Sequence, residues 1–400
     1  MSVTPEEIVD GRRIVVCVGS GGVGKTTISA SLALGGARRG RRVLVLTIDP
    51  AKRLADALGV RSLGNQPRAI PRKVLDRLGV PADGKLSAMM LDMKRTFDDL
   101  VERFAEDAEV RNRILENPIY QHASDALAGS AEYSAMEKVF ELSERRDFDL
   151  IVLDTPPSQH ALDFLEAPQR LLEFLDSRLV QLLLHPAFAA GRFGFRLFQR
   201  SAHQVLRALE RVSGVSFLED ISEFLLAFEG MSEGFRERAR QVQALLFGPE
   251  SAFILAAGPA DESVAHATAF LDRLEKSRAV VAGIVLNRLR MWPAAEVKLP
   301  HRRQREVAIA SLAEALEGGG EMRGSAPRAA EAALSMLDGY ASMVQQDRAA
   351  TAPLRERARR NGYFWRPVPE LPRDVHDFDG LARIAGFVFE TIREEEAVGG

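Results

Sequence analysis

Apolar residues in this chain fall into short unbroken runs separated by longer amphipathic stretches. The runs are Arg13–Val18 (RIVVCV), Val43–Ile48 (VLVLTI), Ala88–Asp92 (AMMLD), Asp149–Asp154 (DLIVLD), Ala252–Ala257 (AFILAA) and Val280–Asn287 (VVAGIVLN). A strand that is apolar at every position has both faces covered, which is the situation in a parallel sheet between helix layers. Ile28–Ala37, rich in Ala and Leu, predicts a helix between the first two runs. Strands alternating with helical patterns in this way predict an α/β class fold, a mostly parallel, doubly wound sheet with helices on both faces.

Two stretches exceed what a crossover helix needs. Residues 96–146 are charged and mostly helical in pattern. Residues 171–247 carry apolar and aromatic positions interrupted by Gly191, Gly194, Gly214, Gly230 and Gly234, which predicts several short helices. Eleven of the chain's 21 phenylalanines lie between Phe164 and Phe247. The two stretches are expected to form a helical subdomain inserted in one domain spanning 1–400. Gly318–Pro327 reads as a surface loop, and no segment repeats.

The first strand runs into CVGSGGVGKTT, which fits G-x-x-x-x-G-K-[ST] from Gly19 to Thr26 and stands between a strand and a helix, as that motif requires. Glycines let backbone N–H groups turn toward phosphate oxygens, and the helix N-terminus adds its positive dipole end. Gly21, Gly22, Val23, Gly24, Lys25, Thr26 and Thr27 are the candidate nucleotide-binding residues, with Lys25 directed at the β- and γ-phosphates and the Thr26 hydroxyl at Mg²⁺. Asp154 closes an apolar strand in DLIVLDTPPSQHALDFL, where a carboxylate can hold Mg²⁺. Asp49 closes another in TIDPAKRLADAL. It can orient an attacking water, or it can cap a helix that begins at Pro50.

GGVGKTT, DPAKRLADAL and DTPPSQHALDFL, in that order, resemble the phosphate loop and two switches of the ArsA/Get3 family of P-loop ATPases, a class that also holds ParA, MinD and the nitrogenase iron protein. The resemblance covers the sheet from about residue 12 to 390. It implies an ATP-binding and ATP-hydrolysing switch protein that uses ATP and Mg²⁺, with nucleotide state controlling dimer conformation and the binding of a hydrophobic protein client. Carried over by position, Lys25, Asp49 and Asp154 are catalytic, Asp49 placing the water, while Thr26 and Asp154 face the metal. His160 becomes a second-switch residue, with helix-start packing as its plainer role. The resemblance also implies that Asn287 reads adenine and that Pro369, in a loop over Pro367–Leu381, lies against the base. The other functions weighed are a ParA- or MinD-like regulatory scaffold and an arsenite-pump ATPase.

Departures from the family pattern narrow this. Ser20 stands where relatives place a lysine that reaches across a dimer to the partner's nucleotide. The expected assembly is therefore a slow homodimer or a heterodimer with a lysine-bearing related subunit. Cys17 is the chain's one cysteine, read as a buried core residue. One thiol excludes a Cys-x-x-Cys zinc clamp, a cysteine metalloid site and a bridging iron–sulfur cluster, so an arsenite-pump role is disfavoured. Phe217, Phe224, Phe228 and Phe235 either line a groove for a hydrophobic helix or pack short helices onto the sheet.

Composition adds exclusions. A hydrophobic content of 46% with 27% charged residues is that of an ordinary globular protein. A net charge of −3 supplies no long-range pull toward nucleic acid. The basic clusters at Arg302-Arg303 and Arg355–Arg360 read as solvated faces. LVQLLLHPAFAAGRFGF is broken by Gln181, His185 and Arg192, so no membrane insertion is expected, and MSVTPEEIVDGRR has no secretory pattern. The expected location is the cytoplasm.

Overall fold

The computed structural model describes residues 3–48, 53–60, 62–117, 120, 121, 130–155, 169, 173, 233–292, 299–318, 325–375 and 377–390. Asp49, His160, Phe217, Phe224 and Phe228 lie outside them.

Helix α1 (Pro5–Gly11) opens on a capping box in which Thr4 and Glu7 satisfy each other's backbone N–H groups. It leads into β1 (Ile14–Val18), α2 (Lys25–Arg38) and β2 (Arg42–Thr47). The short α3 (Arg53–Ala57), the two-residue β3 (Arg68–Ala69) and α4 (Arg72–Arg77) precede β4 (Lys85–Met90). Helices α5 (Met93–Phe104), α6 (Ala108–Glu116) and α7 (Ser130–Arg145) follow, then β5 (Leu150–Asp154). A helix, α8, covers 233–246, and β6 (Ser251–Ala257), α9 (Asp261–Lys276) and β7 (Val281–Leu289) come next. The chain then makes a hairpin of α10 (Arg305–Gly318) and the 36-residue α11 (Ala326–Asn361), and closes with β8 (Phe364–Pro369) and α12 (Phe378–Phe389).

The strands form one eight-stranded sheet in the order β3-β4-β2-β5-β1-β6-β7-β8. Every neighbouring pair is parallel except β3 with β4. Successive side chains alternate between two cores. Ile14, Val16, Val18, Leu153 and Leu255 face α5, α7, α8 and α9, while Val15, Cys17, Val152 and Ile254 face α1, α2 and α12. Each of these residues is almost fully buried, and fully burying one such aliphatic side chain is worth about 1.5–3 kcal/mol. Both faces are covered, and β1 is apolar throughout while β2 and β5 stay apolar through their interiors up to Thr47 and Asp154 at their carboxyl ends.

The doubly wound expectation is met. The third expected strand starts three residues earlier and ends two earlier than the apolar run suggested, at Lys85–Met90, because Asp92 instead caps α5 by accepting from the Arg95 N–H at 3.0 Å. Strands β3 and β8 lay outside the predicted set. Pro367–Pro369 end β8 instead of beginning a loop, and Phe378–Leu381 already belong to α12. An edge strand tolerates proline because its outer N–H has no ladder partner to lose. Pro327 sits in the first turn of α11, so the loop expected up to that residue ends earlier. Within 96–146 the described residues include α5, α6 and α7. Phe235 is fully buried against Phe104, ring centroids 5.3 Å apart, and is core. Arg357 is bound to Glu275 and Asp272, while Arg359 and Arg360 reach Glu356 on the exposed face.

Candidate functional site

The parallel strands end along one edge of the sheet, and the glycine loop turns there between β1 and α2. Gly24 has φ +88°, a left-handed conformation that a side chain resists. A Cβ on Gly24 would come 2.2 Å from Asn287 Nδ2, and one on Gly19 would come 2.1 Å from the Ala256 carbonyl oxygen. The loop therefore packs against the ends of β6 and β7 more closely than any larger residue allows. No side chain caps the start of α2, and a helix N-terminus presents N–H donors suited to an anion.

Lys25 is 6% exposed, and its ammonium donates to the Gly19 carbonyl at 3.0 Å and the Ser20 carbonyl at 2.8 Å. The side chain thus lies back across the loop that it begins from. Thr26 Oγ1 donates to Asp154 Oδ2 at 2.8 Å, and Thr47 Oγ1 donates to the same oxygen at 2.9 Å. Asp154 is fully buried, held in register beside Cys17 and Thr47 by the ladders of β5 with β1 and β2. The next residue, Thr155, donates its hydroxyl to the Cys17 carbonyl at 2.8 Å. Thr26 and Asp154 form a hydroxyl–carboxylate oxygen pair of the kind a hard divalent cation takes. Among the described residues no cluster of three or more His, Cys, Asp or Glu forms a metal cage. A single hydroxyl–carboxylate pair has the donor chemistry for Mg²⁺, which uses few protein ligands and completes its shell with water and phosphate oxygens.

A cleft of about 500 Å³ opens above this pair, lined by Gly22, Gly24, Lys25, Thr26, Thr27, Asn287 and Pro369. Its size is that of a small-ligand site. A second cavity of about 880 Å³ lies across the loop and is lined by Ser20, Gly21, Val23, Ser263, His266 and Asp347, with Gly22, Asn287, Arg288 and Glu370 shared between the two. Ser20 Oγ lies 3.4 Å from Ser263 Oγ on that far side. The sequence-predicted site residues thus lie on one loop and its two flanks, apart from Asp49 and His160, which are outside the described residues. Sequence reasoning missed Arg53 and Asp56 of α3, and Arg288, Glu370 and Arg373, which also line the first cleft. Arg53 and Asp56 follow the strand-end motif at Asp49 and could have been read from it. Arg288 could not, since its place depends on an irregularity in β7.

Cys17 lies behind the loop, wholly buried, its thiol pushed up to about 12 chiefly by desolvation. It is a core residue with no thiolate at neutral pH.

The family model for anion-transporting ATPases, the ArsA ATPase family, matches residues 12–297. The chain belongs to this family. The matched region runs from β1 through β7 and contains the loop, Asp154 and Asn287. Among similar proteins, the ATPase GET3 of Malassezia globosa is 31% identical over 172 residues, 42% of this chain and 46% of that protein. The ATPase get3 of Schizosaccharomyces japonicus is 33% identical over 150 residues, covering 38% and 42%. The ATPase ASNA1 homolog of Entamoeba dispar is 32% identical over 164 residues, covering 40% and 46%. In each case the match spans less than half of the relative's length. The α10–α11 hairpin lies beyond the residues that the ArsA family model matches. No helix among the described residues is long and apolar enough to cross a membrane.

Proposed function

We propose that this chain binds Mg²⁺·ATP in the cleft above Thr26 and Asp154 and hydrolyses it, as a nucleotide-controlled switch. The observation that carries this reading is the junction of β1 and α2. There the glycine loop, Lys25 and Thr26 line one cleft together with Asn287 and Pro369, and the buried Asp154 stands behind Thr26, whose hydroxyl donates to it at 2.8 Å. Lys25, which now bonds two loop carbonyls, has the charge and position to exchange them for phosphate oxygens. Backbone N–H groups from Gly22 to Thr27 supply the remaining donors. Asp154 keeps the Thr26 hydroxyl oriented and adds negative charge beside the expected metal. Mg²⁺, when bound, neutralises charge on the β- and γ-phosphates. Asp49, two residues beyond β2 in the sequence, is assigned the placement of the attacking water. Asn287 offers both a donor and an acceptor, which an adenine edge needs, and Pro369 offers an apolar surface.

Titration calorimetry with Mg²⁺·ATP and a phosphate-release assay test this reading. The wild-type chain is expected to bind and turn over ATP, and Lys25→Ala to lose both. A wild type that binds no ATP, or a Lys25→Ala variant that matches it, would sink the proposal.

The larger cycle is part of the same reading. The chain acts in a dimer in the cytoplasm, and nucleotide state changes its affinity for a hydrophobic protein client. The support is its family and the names of its relatives. Ser20, facing the second cavity, carries no charge toward a partner's nucleotide. A cation supplied in trans is worth roughly 10³–10⁵ in phosphoryl-transfer rate. The chain alone is therefore expected to turn over slowly and to accelerate with a lysine-bearing related subunit. Equal turnover by wild type and Ser20→Lys homodimers would remove the reason for such a partner.

A further inference from the structure

Strand β7 is irregular where it meets the site. Leu286 pairs with Pro367 and Leu289 with Pro369, so three steps on β7 oppose two on β8. The extra residue is a bulge, and bulges re-aim side chains. Arg288 absorbs it at φ +59°, a left-handed conformation that costs a non-glycine residue free energy. The bulge turns Asn287 under the glycine loop, where it is 7% exposed and its Nδ2 donates to the Val23 carbonyl at 2.9 Å. The fit is tight enough that Gly24 has no room for a Cβ beside that nitrogen. Asn287 also lines the cavities on both flanks of the loop.

We propose that Asn287 is a positioning residue for the phosphate loop, holding it through the Val23 carbonyl in its phosphate-receiving form, independently of any contact with a base. The inference rests on the nucleotide-site reading above for its ligand, though not for its geometry. An asparagine is needed because the bond takes a neutral N–H donor from a short side chain. The same side chain belongs to a residue that lines the first cleft. One side chain therefore links whatever occupies that cleft to the shape of the loop. The strain at Arg288 is the local cost of aiming it there.

Two measurements decide the matter. The first compares Mg²⁺·tripolyphosphate, which has no base, with Mg²⁺·ATP on wild type, Asn287→Leu and Asn287→Ala, with circular dichroism confirming the fold of each. A positioning role predicts that both variants bind tripolyphosphate about tenfold more weakly, the equivalent of one hydrogen bond of about 1.4 kcal/mol. A role confined to the base predicts weaker ATP binding with tripolyphosphate unchanged within about twofold, and that result overturns the proposal. The second is hydrogen exchange of the 19–27 segment in ligand-free protein, expected to quicken about tenfold in both variants. Unchanged exchange also overturns it. A wild type that binds neither ligand defeats the nucleotide reading, and the exchange experiment then still decides the fate of the loop contact.

Discussion

Asp154 gathers three hydroxyls from two elements: Thr26 and the more distant Ser29 of α2, and Thr47 of β2. Removing it takes a buried acceptor from Ser29 and Thr47, which are themselves buried, and from the half-buried Thr26. Asp154→Ala is expected to lower stability by about 2–3 kcal/mol, read from urea unfolding. It should also abolish the Mg²⁺ dependence of ATP binding, measured by titration with and without the metal. Asp154→Asn, which keeps the shape, should recover more of the stability than of the metal dependence. Cys17 offers a second check. Its thiol is raised from 9.0 to about 12, so its thiolate fraction falls about a thousandfold. A thiol-reactive dye at pH 8 should leave the folded protein unlabelled and label it fully in urea. Rapid labelling of the native chain would contradict the packing of β1. Lys25, Thr26 and the glycines were legible because the motif is local and each residue type has its own backbone or charge requirement. Asp154 was legible as a strand-ending carboxylate, but its hydroxyl partners were not.

Helices dock by contacts far apart in sequence. Arg238 of α8 inserts between Glu137 and Glu144 of α7, at 2.7 and 2.8 Å, with its guanidinium 4.1 Å from the centre of the Phe140 ring. Arg238 and Glu137 are both buried, so removing one strands the other's charge. Arg238→Met is expected to cost about 3–5 kcal/mol, and the Arg238→Met/Glu137→Leu double variant clearly less, by urea unfolding of all three proteins. Helices α9 and α11 are joined at Glu275, whose carboxyl is held below its ordinary range first by hydrogen bonding from Arg357, then by Tyr363 and Asn361. A depressed carboxyl stabilises the fold above its unfolded value of about 4.5, and that contribution is lost as pH falls through the lower folded value. Glu275→Gln should therefore destabilise by about 1 kcal/mol at pH 7. It should also flatten the stability decline below pH 4.5, followed by thermal melts across pH. The helical character of these segments was readable from periodicity. Their partners were not, because Glu137 and Arg238 stand 101 positions apart and no periodicity links them.

Across the whole molecule, ligand binding and folding share one free energy. A ligand at a hundred times its dissociation constant stabilises the native state by about 2.7 kcal/mol. Mg²⁺·ATP should raise the melting temperature by a few degrees in a dye-based melt. Lys25→Ala should show no shift. A shift that survives in Lys25→Ala would place the nucleotide elsewhere, for instance in the larger cavity beside Ser20. By itself the sequence determined the fold class, the ArsA/Get3 resemblance and the phosphate loop, because each is encoded by neighbouring residues: apolar runs, glycines, a lysine and two threonines. The tertiary structure alone decided that the loop divides two cavities and that Ser20 faces the larger. It also decided that Asn287 reaches Val23 from a strand 264 positions away. Those facts depend on which strands lie side by side and on one extra residue in β7, and only the packed sheet brings them together.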